Sequence, residues 1–268
     1  MEKGLILIRR YALVLVFLAI VLLGVGGYAF GYRFTGNGLI KSGTILITDV
    51  PQGTVVFADQ SRLTTVTGSS ARIDLAPGSH SIIVDAPGMQ PWNELVEVSS
   101  DKDLLLAPVL VPVQSKVRVL SGDERAKAVT TLLEYALPTK ASPLVLAGGC
   151  ALVYASGNRI VADSATSTTD CITPEFLLCD ASVASSTGVC PSTVVFPPNE
   201  RLESVSVFPG RDDALVIAAG GQAYVVELDP REPQFFAPIL RGPKVKAAPW
   251  TDSSVVISDT QKVYELSL

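Results

Sequence analysis

From Gly43 onward, turn residues cut the chain into short runs of β-favouring side chains, and this cadence restricts the fold more than any other feature. Thr44-Ile45-Leu46-Ile47-Thr48 is followed by a turn carrying Pro51 and Gly53, then by Thr54-Val55-Val56-Phe57. Ala71 to Leu75, the Pro77-Gly78 turn, His80 to Val84, the Pro87-Gly88 turn and Glu94 to Val98 follow in order, and Leu104-Leu105-Leu106 opens a last strand. Short alternating runs with regular turn signals predict a small antiparallel β-sandwich over residues 43–112. Pro51, Gly53, Pro77, Gly78 and Gly88 are read as fold-defining turn positions, because proline presets φ and glycine tolerates positive φ. They supply backbone geometry and no chemistry.

Residues 113–268 continue in β fashion with a longer period. Val205 to Leu228 reads as strand, Pro-Gly-Arg-Asp-Asp turn, strand (Ala214 to Ala218), Gly220-Gly221 hairpin and strand (Ala223 to Leu228). Ala247 to Leu268 repeats that order, and a similar unit lies at Ala151 to Ala162. Recurrence at roughly forty residues predicts propeller blades. The length allows a propeller-like or partial-propeller domain: a minimal ring, an incomplete arc, or an array completed by a partner, including a homo-oligomer. Asp123 to Ala136 reads equally well as helix and as strand, because Val129-Thr130-Thr131 interrupts an otherwise helical pattern.

Ahead of these regions, Tyr11 to Phe30 holds twenty residues without a charge. A helix of that length approaches the ~30 Å hydrocarbon core of a bilayer. The expectation is a transmembrane helix at 11–32, a cytoplasmic N-terminus at 1–10 and a linker at 33–42. Lys3, Arg9 and Arg10 outweigh Arg33 and Lys41, which orients the C-terminal region outside the cytoplasm. Gly27-Tyr28-Ala29 admits the rival reading of a cleaved signal peptide. Residues 1–42 carry a net +4 and the remainder −9, and an acidic body repels a phosphate backbone, so a nucleic-acid partner is disfavoured.

Three turns carry a family resemblance. Pro51-Gln52-Gly53-Thr54, Leu75-Ala76-Pro77-Gly78-Ser79-His80 and Gly88-Met89-Gln90-Pro91-Trp92 resemble, in order and spacing, the turn elements of the PEGA domain. The resemblance covers about Gly43 to Pro112 and implies a mainly β fold with a role in surface-layer or envelope interaction. Gln60 to Gly68 departs from it as a longer polar stretch, which makes Gln60, Ser61 and Arg62 a candidate contact loop.

Catalytic chemistry is sparse. His80 is the sole histidine, and no second ligand lies at metal spacing. It reads as a strand-edge histidine bonded to nearby backbone, and Trp92 as a cap on the sandwich core. Cys150, Cys171, Cys179 and Cys190 form no C-x-x-C. Outside the cytoplasm they would make a disulfide framework, with free buried cysteines as the alternative. Of the three connectivities, Cys179–Cys190 with Cys150–Cys171 is favoured. Glu227-Leu228-Asp229 places two carboxylates on one strand face, suited to Ca²⁺ or acid/base work, or to a solvated strand end pairing with Arg231. No catalytic residue, cofactor or metal is assigned. The expected function is a non-enzymatic, membrane-anchored binding or scaffolding protein of the bacterial cell envelope, contacting an envelope protein or glycan. The alternatives are a sensor or regulatory subunit of a membrane complex and, third, an envelope hydrolase.

Overall fold

A computed structural model describes residues 2–29, 31–35, 38–100, 102–165, 174–178, 192–260 and 262–268. The chain divides into two compact units, Met1–Ile83 with Leu95–Pro108, and Val84–Glu94 with Val109–Leu268.

The first unit opens with helix α1 (Glu2–Ala29) and a hairpin of β1 (Tyr32–Thr35) and β2 (Gly38–Lys41). In α1 the side chains of Ala12 and of Val14 to Tyr28 are described, and the large apolar ones are exposed. Among the described residues, no helix is long and apolar enough to cross a membrane. The transmembrane helix expected at 11–32 is therefore corrected to a helix without that capacity. The single-pass anchoring and membrane location inferred from it are withdrawn as well.

Seven strands follow in the chain, with the end of β7 and the start of β8 falling in residues 84–94 of the second unit: β3 (Gly43–Ile47), β4 (Val55–Ala58), β5 (Ser61–Thr65), β6 (Ala71–Leu75), β7 (Gly78–Asp85), β8 (Trp92–Val98) and β9 (Asp103–Leu106). They form a three-stranded sheet in the order β6-β3-β9 and a four-stranded sheet in the order β5-β4-β7-β8. The β3–β9 pair is parallel, so the smaller sheet is mixed where the sequence suggested only antiparallel pairing. Alternation is visible in the buried set, with Ile45, Ile47, Ile73 and Leu106 from one sheet and Val56, Ile82, Val96 and Val98 from the other. Gly43 sits against the backbone at Ser99, where an added Cβ would lie 2.2 Å from the carbonyl oxygen.

The second unit contains β10 (Lys116–Val119), helix α2 (Gly122–Glu134) and three four-stranded antiparallel sheets. One comprises β11 (Leu144–Leu146), β12 (Ala151–Ser156), β13 (Arg159–Ser164) and β14 (Thr193–Phe196), with a 3-10 turn at Glu175–Leu177 before the last strand. The next comprises β15 (Leu202–Val207), β16 (Ala214–Ala219), β17 (Gln222–Glu227) and β18 (Phe236–Arg241). The last comprises β19 (Lys246–Thr251), β20 (Ser254–Ser258) and β21 (Val263–Ser267), and β10 completes it by pairing with β21.

β16 shows why the middle sheet is so apolar in sequence. All six of its residues are buried. Leu215, Ile217 and Ala219 pack with Leu146, Val153, Ile160 and Val195 of the β11–β14 sheet. The alternate set, Ala214, Val216 and Ala218, lies on the opposite face, toward β19. A strand covered on both faces loses the apolar/polar alternation and reads as a continuous run. Each fully buried side chain such as Ile217 contributes about 1.5–3 kcal/mol. The Ser204 hydroxyl, buried, accepts from the Ala247 amide at 2.9 Å and ties β15 to β19.

Helix α2 covers the other face of the last sheet. Ala128 and Leu132, one turn apart, pack with Leu120, Ala248, Val256 and Val263. The β-branched Thr130 and Thr131 are accommodated because each hydroxyl donates to the carbonyl four residues back, Ala126 and Lys127 respectively. Asp123 and Glu124 in the first turn complement the helix dipole, and Arg118 on β10 bonds both Glu124 and Glu265.

Candidate functional site

In the first unit the departure at Gln60–Gly68 is not a loop throughout. Residues 61–65 form β5, an edge strand paired with β4. The connection is two residues long, and both Asp59 (φ 50°) and Gln60 (φ 67°) are left-handed. Two successive left-handed residues make the type I′ geometry whose twist suits a tight hairpin. Neither residue is glycine, which hides the turn in the sequence.

Asp59 has a second role that explains its strained conformation. Its carboxylate meets Nδ1 of His80 at 2.7 Å and accepts the Ser81 amide at 3.1 Å. Nε2 of His80 lies 2.7 Å from the Ala76 carbonyl oxygen. Both partners of the ring are acceptors, so both nitrogens donate only in the imidazolium form. Burial pushes the His80 pKa down, but the bonds to Asp59 and Ala76 outweigh it and hold the value above normal. The hydrogen bond from His80, then that from Ser81, lowers Asp59. His80 thus bonds backbone and also fastens the hairpin turn.

The candidate contact residues Gln60, Ser61 and Arg62 are all exposed. The Arg62 guanidinium donates to Thr65 Oγ1 at 2.7 Å along the strand. The remaining turn residues take geometric roles. Gly53 (φ 88°) follows Gln52 in a turn closed by the Thr54 amide on the Pro51 carbonyl. Gly88 (φ 76°) follows Pro87 in a turn closed by Met89 on Ala86, and Gly78 (φ 132°) begins β7 beside Pro77.

The second unit assembles a cluster that the sequence showed only in part. Trp92 is 1% exposed, and its indole N–H donates to Oε1 of Glu227 at 2.8 Å. Asp213, opposite the end of β17, and Asp229, just beyond it, each bind an arginine: Arg211 pairs with Asp213, and Arg231 with Asp229 at 2.6 Å. Glu94 joins the group electrostatically. Burial, reinforced by the charge of Asp229, raises its pKa to about 7 against the opposing pull of Arg231. Burial likewise raises Glu227 to about 8, the Trp92 bond opposing and the Glu94 charge assisting.

Of the two carboxylates flanking Leu228, Asp229 is therefore an ion-pair partner and Glu227 a part-buried acid that is mostly protonated at neutral pH. Beside them, Gln234 donates from one amide nitrogen to the carbonyls of Val195 and Glu227. A groove of about 840 Å³ lies there, lined by Val194, Pro197, Pro230, Glu232 and Pro233 among others. Among the described residues, no group of three or more His, Cys, Asp or Glu side chains is placed to hold a metal. Glu94 and Asp213 escaped sequence reasoning because nothing local links them to Glu227. Trp92, 135 residues away from it, gave the only hint, as an indole N–H that needs a partner when buried.

Of the four cysteines expected in a disulfide framework, Cys150 alone lies among the described residues. Cys150 is disulfide-bonded and no described cysteine is free, but Cys171, Cys179 and Cys190 lie outside the described residues. No cysteine pair is complete among the described residues, and the two-bridge pattern is not carried further. No protein-family model matches the chain, and no curated protein matches it either.

Proposed function

We propose that the chain is a non-enzymatic binding or scaffolding protein that presents the β4–β5 hairpin as its contact surface. The observation that carries this reading is the hairpin itself. Gln60, Ser61 and Arg62 project into solvent from a two-residue turn that the Asp59–His80 contact fixes. A surface ordered before binding loses less conformational entropy when a partner docks. An exposed edge strand also offers unpaired backbone groups for strand addition.

The acidic cluster supports the same reading from the other direction. Its strongest contacts are internal: indole to Glu227, and arginine to each aspartate. That arrangement holds structure together.

The test is capture from a lysate of the source cell with the full chain as bait, alongside a variant carrying Gln60→Ala, Ser61→Ala and Arg62→Ala. A partner retained by the native chain and weakened at least about tenfold by the variant supports the hairpin as the contact surface. Equal capture by both sinks that assignment, as does a hydrolytic activity abolished by Asp229→Asn.

A further inference from the structure

The outer rim of the β15–β18 sheet carries an aromatic platform separate from the acidic cluster. The rings of Tyr224 on β17 and Phe236 on β18 have centres 4.6 Å apart. Phe196, from the edge strand β14 of the neighbouring sheet, stacks on Phe236 at 5.6 Å and 22°. Phe236 is 44% exposed, so part of the platform faces water. Along the same face the Tyr224 hydroxyl donates to Oε1 of Gln222 at 3.1 Å, and Gln222 lies directly opposite Arg241 at the end of β18. That bond engages the amide oxygen of Gln222 and leaves its N–H groups without a partner among the described residues. The exposed Arg241 guanidinium likewise makes no hydrogen bond or ion pair among them.

We propose that this face binds an acidic oligosaccharide, with uncharged pyranose rings on Phe196, Tyr224 and Phe236 and a uronate carboxylate at Gln222 and Arg241. The two ends of the face differ in chemistry, and the difference selects the ligand. The aromatic end offers apolar surface with a negative ring face, which suits the C–H side of a sugar. The other end presents unengaged N–H donors, and a guanidinium fork matches a carboxylate at two points. Phe236 and Arg241 open and close β18, about 16 Å apart at strand rise, so the ligand spans several sugar rings. Glu232, exposed in the groove that also takes in Val195 and Pro197 on either side of Phe196, disfavours negative charge at the aromatic end. The acid therefore points toward Arg241.

A nucleobase joined to a phosphate would also combine stacking with negative charge, and two features favour the sugar. The rings of Phe196 and Tyr224 are tilted by 52°, so one flat base cannot cover both, while successive pyranose units settle on each in turn. The chain beyond residue 42 carries a net −9, which repels a phosphate backbone along its length but admits one carboxylate beside an unpaired arginine. None of these residues lies on β4 or β5, so the site stands or falls apart from the hairpin reading.

The experiment is isothermal titration of the full chain with two tetrasaccharides that bear a single glucuronate, glucuronosyl-xylotriose and glucuronosyl-cellotriose. Their carboxyl-reduced forms and a thymidine tetranucleotide are titrated alongside. At least one acidic tetrasaccharide is expected to bind about tenfold more tightly than its reduced form. Arg241→Gln should bring the acidic and reduced forms to equal affinity. Phe236→Leu keeps an apolar side chain and removes the ring, and should weaken both forms about tenfold. The variant carrying Gln60→Ala, Ser61→Ala and Arg62→Ala should bind as the native chain does. No binding of either acidic tetrasaccharide at millimolar concentration overturns the proposal, as does equal affinity of acidic and reduced forms in the native chain. Binding untouched by Phe236→Leu, or lost in the hairpin variant, overturns the placement of the site. Tighter binding of the thymidine tetranucleotide overturns the choice of a sugar and assigns the face to single-stranded nucleic acid. Should Phe236→Leu fail to fold, Arg241→Gln, at an exposed strand end, carries the test: a preference for the acidic form that survives it overturns the proposal.

Discussion

Two contacts in this molecule share one description, a carboxylate about 2.7–2.8 Å from a ring N–H, and have opposite consequences. Asp59 with His80 is solvated on the acid's side, and the ring can carry a charge. The acid is held ionised to lower pH, and the base protonated to higher pH, than either would be alone. Glu227 with Trp92 is largely withdrawn from water, and the indole has no charge to lend, so the acid retains its proton into the neutral range. A short hydrogen bond does not decide the ionisation state. Desolvation and the charge available on the donor decide it.

The largest expected effect comes from taking the titration out of the buried contact. A carboxyl whose folded pKa is raised lends stability that is complete below its unfolded value near 4.5 and is lost as pH rises through about 8. Glu227→Gln should match the native chain within about 1 kcal/mol at pH 5 and exceed it by about 2–4 kcal/mol at pH 9, measured by urea unfolding. A native chain equally stable at both pH values would dissolve the contrast.

A smaller effect is expected at the solvated contact. His80 is raised, so its share is complete below pH 6.5 and lost as pH climbs past its folded value. Asp59 is lowered, so its share is present above 3.8 and lost as pH falls through its folded value. His80→Gln should cost about 1 kcal/mol near pH 5–6, where both are charged, and much less at pH 9. A cost independent of pH would mean that packing alone, and no ion pair, holds the turn.

The smallest effect sharpens the geometry. Gln60 occupies the left-handed region at φ 67°, which costs a side chain about 1 kcal/mol relative to glycine. Gln60→Gly should stabilise by about that amount in thermal melts while leaving the His80 pH profile intact. Destabilisation would argue for a contact made by the Gln60 side chain.

How much of this was legible beforehand varies with the range of the determining interaction. The strand runs were legible because burial on one or both faces writes itself directly into residue type, as at β16. The turns at Gly53 and Gly88 were legible because positive φ selects glycine. The β4–β5 turn was not, since Asp59 is stabilised there by His80 from a neighbouring strand. Helix α2 was ambiguous because its threonines are satisfied by carbonyls four residues back, a solution invisible to propensity. The uncharged run Tyr11–Phe30 pointed correctly to a helix, but residue counting promised a membrane span that α1 does not provide among the described residues. The carboxylate cluster was out of reach, because its members come from β8, β17 and two separate turns.

The pairing of β10 with β21 has a consequence for biosynthesis. Arg118 and Glu265 stand 147 positions apart, so the sheet that α2 covers cannot be completed until residues 263–267 have left the ribosome. Until then β10, with Val117 and Val119 turned outward, waits as an unpaired strand beside whatever has already folded. Contacts this distant in sequence form late and slowly, and an unpaired apolar strand invites association with another chain. The interval between making the first and the last strand of that sheet is thus when a nascent chain of this protein most needs protection from its neighbours.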